Sequence, residues 1–147
     1  MQLVPGMVLY LSFSTLKPSP KEKFAVLCSL DPKPMFLLIN SEQNAFVINT
    51  PEMAAHNLVI DVASHPFLNY DSWLDCTVPF GYDLAELLSI IGKEPSRIKG
   101  KLSQKLVQAT AGRIGQSDLW PPKKAARVVA SLSNPVGVDI PNPAQQP

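Results

Sequence analysis

The sequence predicts a mainly β domain, a small barrel or sandwich of five to six short strands, followed by two to three C-terminal α-helices. Three observations lead there. Short apolar runs recur along the first half, separated by turns rich in Pro, Asn, Ser and Asp, the spacing of a small antiparallel β fold. Within residues 61–78, Ser72, Leu74, Cys76 and Val78 alternate with Asp71, Trp73, Asp75 and Thr77, as a strand with one buried face requires. Beyond Val78 the apolar period lengthens to that of a helix and the charge turns basic.

In chain order, Pro5-Gly6 opens a first strand over Met7–Phe13, and a polar loop carrying Pro18 and Pro20 then interrupts the sheet. A second strand is expected over 23–30. Phe24, Val26, Cys28 and Leu30 share one face, and Ala25 and Leu27 on the other suggest cover on both sides. Asp31-Pro32-Lys33-Pro34 turns the chain into an apolar strand over Met35–Asn40. Further short strands are expected over 45–49 and 57–62, with Pro51 between them, and His65-Pro66-Phe67-Leu68 reads as a turn into the strand at 72–78. Pro79-Phe80-Gly81 breaks that strand. Asp83 caps a helix over 84–91 ending at Gly92, and Leu102, Leu106 and Ala109 set the apolar side of a second helix over 103–114. Pro121-Pro122 starts a last helix running to about Leu132. Residues 1–132 are expected to form one domain. The composition of residues 133–147, four of fifteen being proline, predicts a disordered tail.

A chain of 147 residues with 46% apolar and 17% charged residues can bury a core without staples. Net charge is +1 but uneven. Residues 61–90 carry five acids and no Lys or Arg, whereas residues 91–147 carry nine basic residues against three acids. Such asymmetry suits self-complementary packing, a partner-facing patch or simply two solvated faces. Cys28 and Cys76 lie in apolar strand runs without the spacing of a metal site, so no metal is expected, and two reduced, buried thiols fit a cytosolic protein. The N-terminus lacks a basic leader and is interrupted by Pro5-Gly6. No apolar run is long enough to span a bilayer. A soluble, cytoplasmic protein without membrane contact is expected.

The order of elements resembles a known family. The Pro-Gly-led first strand, the polar loop and Lys23-Phe24-Ala25-Val26-Leu27-Cys28-Ser29 are similar to the opening of the PemK/MazF-like growth-inhibitor toxins. Leu37-Leu38-Ile39-Asn40-Ser41 resembles the family's next strand, which usually ends in Thr or Ser. His65-Pro66-Phe67-Leu68 with Asp71-Ser72-Trp73-Leu74-Asp75-Cys76 looks like the late barrel strand of divergent members, and Gly100-Lys101-Leu102-Ser103 like the start of their helical part. The similarity spans about residues 4–132. It implies a small SH3-like barrel and a toxin of a toxin-antitoxin system, a metal-independent endoribonuclease cleaving single-stranded RNA without a cofactor. It also implies a homodimer and an antitoxin partner. By position, Lys23 would be the cation on the scissile phosphate and Ser41 the hydroxyl partner, but Lys23-Phe24 stands where the family has Arg-Pro. Lysine neutralises a phosphate without the bidentate fork of Arg.

The residues support other readings beside this one. A lysine at a strand start and a serine in a turn are also what folding alone places there. Ser14, Lys17 and Lys21 in or beside the first loop are candidates to line a nucleic-acid groove, although no aromatic residue interleaves them. His65, oriented by Asp61, Asp71 or Asp75, has the chemistry of a general base, and a His-Pro turn equally serves to bond local backbone. Tyr70 and Trp73 are candidate protein contacts, or aromatics covering the barrel end. The basic residues Arg97, Lys99, Lys101, Lys105 and Arg113 could meet the acidic stretch or a negatively charged partner. The alternative to catalysis is a non-catalytic interaction module of the same fold, binding a protein through the Trp73 strand.

Overall fold

The computed structural model describes residues 1–16 and 20–141. Its centre is a curled half-barrel of antiparallel strands. In chain order the strands are β1 (Gln2–Leu3), β2 (Met7–Phe13), β3 (Lys21–Ser29), β4 (Met35–Asn40), β5 (Asn57–Ile60), β6 (Ser72–Asp75), β7 (Phe80–Gly81), β8 (Ile98–Lys101) and β9 (Val138–Asp139). The sheet order is β5-β6-β4-β3-β2-β8, with β7 added beside the first residues of β4 and β1 paired separately with β9. The helices are α1 (Ala45–Asn49), α2 (Pro51–Ala55), α3 (Leu84–Lys93), α4 (Gln104–Gly115) and α5 (Pro122–Ser133).

The fold is mainly β and barrel-like with helices, as the strand spacing predicts. Strand β3 is buried on both faces because the sheet lies between two apolar layers. Val26 and Cys28 join Leu37, Ile39, Leu74 and Cys76 beneath α4 and α5, which contribute Leu106, Ile114, Val128 and Leu132. Ala25 and Leu27 join Leu9, Leu11, Phe13, Phe36 and Leu38 beneath α3, which contributes Leu87 and Ile91. Each such side chain fully removed from water contributes roughly 1.5–3 kcal/mol, so two layers stabilise what one face could not.

Local chemistry fixes the helix starts. Asp83 accepts a hydrogen bond from the Glu86 amide to cap α3, Ser103 accepts from Leu106 to cap α4, and Pro122 occupies the first turn of α5. Gly6 has φ of 100°, a conformation open mainly to glycine. There its amide donates to Leu27 and its carbonyl accepts from Leu102, tying the entry of β2 to both β3 and the start of α4.

The structure corrects three expectations. Residues 45–49 form helix α1 and not a strand: the Asn44 side chain caps it through the Val47 amide, and β5 takes the place beside β6. Residues 98–101 form strand β8 against β2, where the family resemblance put Gly100 and Lys101 at the start of the helical part. The stretch after α5 does not simply leave the fold. Val138 and Asp139 pair with Leu3 and Gln2, and the Ile140 amide donates to the Met1 carbonyl. Residues 142–147 lie outside the described residues.

Candidate functional site

The sequence-derived residues converge in part. Lys23 from β3, Ser41 just past β4, and Tyr70 from the loop before β6 line one cleft of about 220 Å³. Tyr10, Glu22 and Phe24 line it too, and the rings of Tyr10 and Phe24 lie 4.9 Å apart. The cleft therefore combines a lysine, hydroxyl groups and aromatic walls, the chemistry that phosphate and base together require.

The ammonium of Lys23 is committed locally. It donates to the Asn40 side-chain oxygen, and strand alternation puts Asn40 on the face of Leu38, opposite Ile39. Lys23 thus forms part of the cleft wall while its charge turns toward Asn40 at the sheet end. Burial lowers the Lys23 pKa from its ordinary value of 10.5, the neighbouring charge of Lys21 lowers it further, and Asp75 pulls the other way. Glu22, the acid of the cleft, is engaged by Arg97, whose guanidinium lies 3.2 Å from its carboxylate and also bonds Glu94 and the Tyr10 carbonyl.

The other candidates lie elsewhere. Ser14 sits in a separate cavity with Thr15, Tyr82, Asp83 and Glu86, acids that disfavour a phosphate. Lys21 is exposed at the start of β3, opposite Phe13, and Lys17 lies outside the described residues. Trp73 pairs with Val59 on one side and Asn40 on the other, and alternation puts it opposite Ser72, a residue of the cleft. Tyr70 and Trp73 therefore do not form one surface.

His65 is fully buried. Its Nδ1 donates to the Asp61 carbonyl at 2.9 Å and its Nε2 accepts from the Ser103 amide at 3.0 Å. Both ring nitrogens are occupied by backbone, so the ring is a structural clamp and not a general base. His56 is equally committed, to the Glu52 carbonyl and the Ser117 hydroxyl. The aspartates of the acidic stretch cap backbone: Asp61 bonds the Ser64 amide, Asp71 Val62, Asp75 Thr77 and Asp83 Glu86. That is ordinary Asx-turn and helix-cap chemistry, and it explains the local excess of acid.

Sequence reasoning missed Asn40, the partner of Lys23, and the Tyr10–Phe24 pair; a polar residue closing an otherwise apolar strand was the available signal for the first. Cys28 and Cys76 are free thiols buried in one core. Burial raises both pKa values, that of Cys76 to about 12. Among the described residues no group of His, Cys, Asp and Glu is arranged to hold a metal ion, and no helix is long and apolar enough to cross a membrane. Comparison with known proteins finds no matching family model, no matching curated sequence and no matching solved structure.

Proposed function

We propose that this protein acts on single-stranded RNA, as a toxin-like, metal-independent endoribonuclease of the cytoplasm. The reading rests on one observation above others: Lys23, Ser41 and Tyr70, from three separate chain segments, meet in one cleft walled by aromatic rings. In the reaction the ribose 2′-oxygen attacks the adjacent phosphorus and the bond to the 5′-oxygen breaks, leaving a 2′,3′-cyclic phosphate. Lys23 leaves Asn40 to offset the charge gathering on the phosphoryl oxygens. Ser41 accepts a hydrogen bond from the 2′-hydroxyl and relays its proton to water, from which the departing 5′-oxygen takes one. Tyr70 supplies a face for a neighbouring base. Induced expression with RNA integrity followed over time tests the reading: RNA fragments accumulate with the native chain and not with Lys23→Ala. Intact RNA and unimpaired growth with the native chain would overturn it.

A non-catalytic interaction module is the second reading, favoured by the edge strand β5. Val59 is 57% exposed there, and the strand Asn57–Ile60 carries no charged residue, whereas the opposite edge β8 carries Lys99 and Lys101. Uncharged edges accept an added strand, from an antitoxin-like partner or from a second copy of this chain. Co-purification of a stoichiometric partner, lost on Val59→Lys, without any RNA cleavage, would favour this reading.

A further inference from the structure

A second cleft lies away from Lys23, where the turn between β3 and β4 meets α5. It measures about 240 Å³ and is lined by Pro32, Met35 and Val128, with Lys33, Lys124 and Arg127 around it. Val128 is 1% and Met35 8% exposed, so the floor is apolar and continuous with the core. Asp31 is the acid of the lining. Among the described residues the ion pairs are those of Arg97 with Glu22 and Glu94, so none of the three rim cations lies in salt-bridge contact with a carboxylate. The walls are fixed. The Ser131 hydroxyl donates to that of Ser29, which donates to the Asp31 carbonyl, joining α5 to the turn. Lys33 runs across Gly81, where an added Cβ would come within 2.7 Å of its Cε and Nζ. The missing side chain of Gly81 is what gives Lys33 this path.

Three cations against one acid leave the rim with an excess of positive charge, and an anion offsets that excess. The apolar floor selects among anions. A bare phosphate would leave Met35 and Val128 uncovered, and the Ser29 hydroxyl beneath is already donating. The volume falls below the roughly 300–1,000 Å³ of sites for drug-sized ligands, so the apolar group it seats is a small one. We propose that this cleft binds a carboxylate carried on one aromatic or branched apolar group, with Met35 and Val128 taking the apolar body and Lys33, Lys124 and Arg127 the carboxylate. Arg127 can pair with both carboxylate oxygens, which a lysine does not do. The same chemistry is carried by a small organic acid or by an acidic peptide segment with a single apolar anchor.

The test titrates the full chain with 3-phenylpropionate and with the peptide acetyl-Glu-Phe-Glu-amide, following the methyl resonances of Met35 and Val128. Inorganic phosphate and 3-phenylpropanol serve as controls. Saturable shifts with either carboxylate, at least tenfold tighter than with the alcohol or phosphate, are expected; the tighter of the two identifies the source as free acid or peptide. Lys124→Glu with Arg127→Glu weakens binding at least tenfold. Gly81→Ala, which displaces Lys33 without changing charge or the floor, weakens it about threefold while thermal unfolding stays close to that of the native chain. Equal binding of the alcohol or of phosphate, absence of saturable shifts, or indifference to the charge reversal would overturn the proposal. RNA cleavage at the Lys23 cleft is independent of all these outcomes.

Discussion

His65 and Ser103, thirty-eight positions apart, are joined by a hydrogen bond in which the Ser103 amide donates to the ring Nε2 over 3.0 Å. Ser103 is also the cap of α4, its hydroxyl accepting from the Leu106 amide, so the histidine orients a helix start. Through its other nitrogen His65 holds the Asp61 carbonyl. One buried ring thus ties the loop before β6 to the first turn of α4. Replacing His65 by Ala leaves two backbone groups without partners and opens a cavity, an expected cost of roughly 2–4 kcal/mol. Urea unfolding of His65→Ala should show a lower midpoint with an unchanged slope; an unshifted midpoint would mean that water replaces the ring at no cost.

The two cysteines predict a pH dependence. Burial raises the folded pKa of both above the ordinary thiol value of 9.0, that of Cys76 to about 12. Above pH 9 the unfolded chain loses thiol protons that the folded chain keeps, so folding is penalised as pH rises. Between pH 9 and about 12 the loss is roughly 1.4 kcal/mol per pH unit for each thiol. Unfolding measured at pH 8.5, 9.5 and 10.5 should fall more steeply for the native chain than for the double variant Cys28→Ala with Cys76→Ala. At pH 8 neither native thiol should react with a thiol reagent until the chain unfolds.

Lys23 separates the two functional readings at one position. In the RNA reading, Lys23→Ala removes the cation from the scissile phosphate and lowers cleavage about 10²–10³-fold, the effect of removing one charge-stabilising donor. Lys23→Arg keeps the cation and adds a bidentate fork, and cleavage should stay within about tenfold of native. Equal cleavage by native chain and Lys23→Ala would remove Lys23 from the site.

Gly100 in β8 is pressed against the ring of Phe67, and a Cβ there would lie 2.8 Å from its Cδ1. Phe67 also meets the rings of Phe24 and His65, so it cannot move without disturbing the loop. Gly100→Ala should cost about 1–3 kcal/mol through overpacking, and Phe67→Leu in the same chain should recover part of it. A double-mutant cycle measures the coupling; additive effects would show that the two residues do not meet.

Strand alternation at Ser72, Leu74 and Cys76, the cap at Asp83, and the two-sided apolarity of β3 were legible in the sequence, because each is set by neighbours within a few residues. The same local rules pointed to a strand at residues 45–49, where β-branched Val47 and Ile48 compete with the cap at Asn44. Only the sheet order, with β5 beside β6, resolves that competition. The tertiary structure alone placed β8 against β2 and returned Val138 to the N-terminus, since both pairings close loops too long for any local signal. At the candidate site, the residue types of Lys23, Ser41 and Tyr70 were readable, but their meeting in one cleft depends on three strands coming side by side. The direction of the Lys23 ammonium toward Asn40 is likewise decided by register. His65 shows the division most plainly: composition marks it as a proton carrier, and the fold uses both its nitrogens to hold backbone, because a buried polar group must find its partners wherever packing provides them.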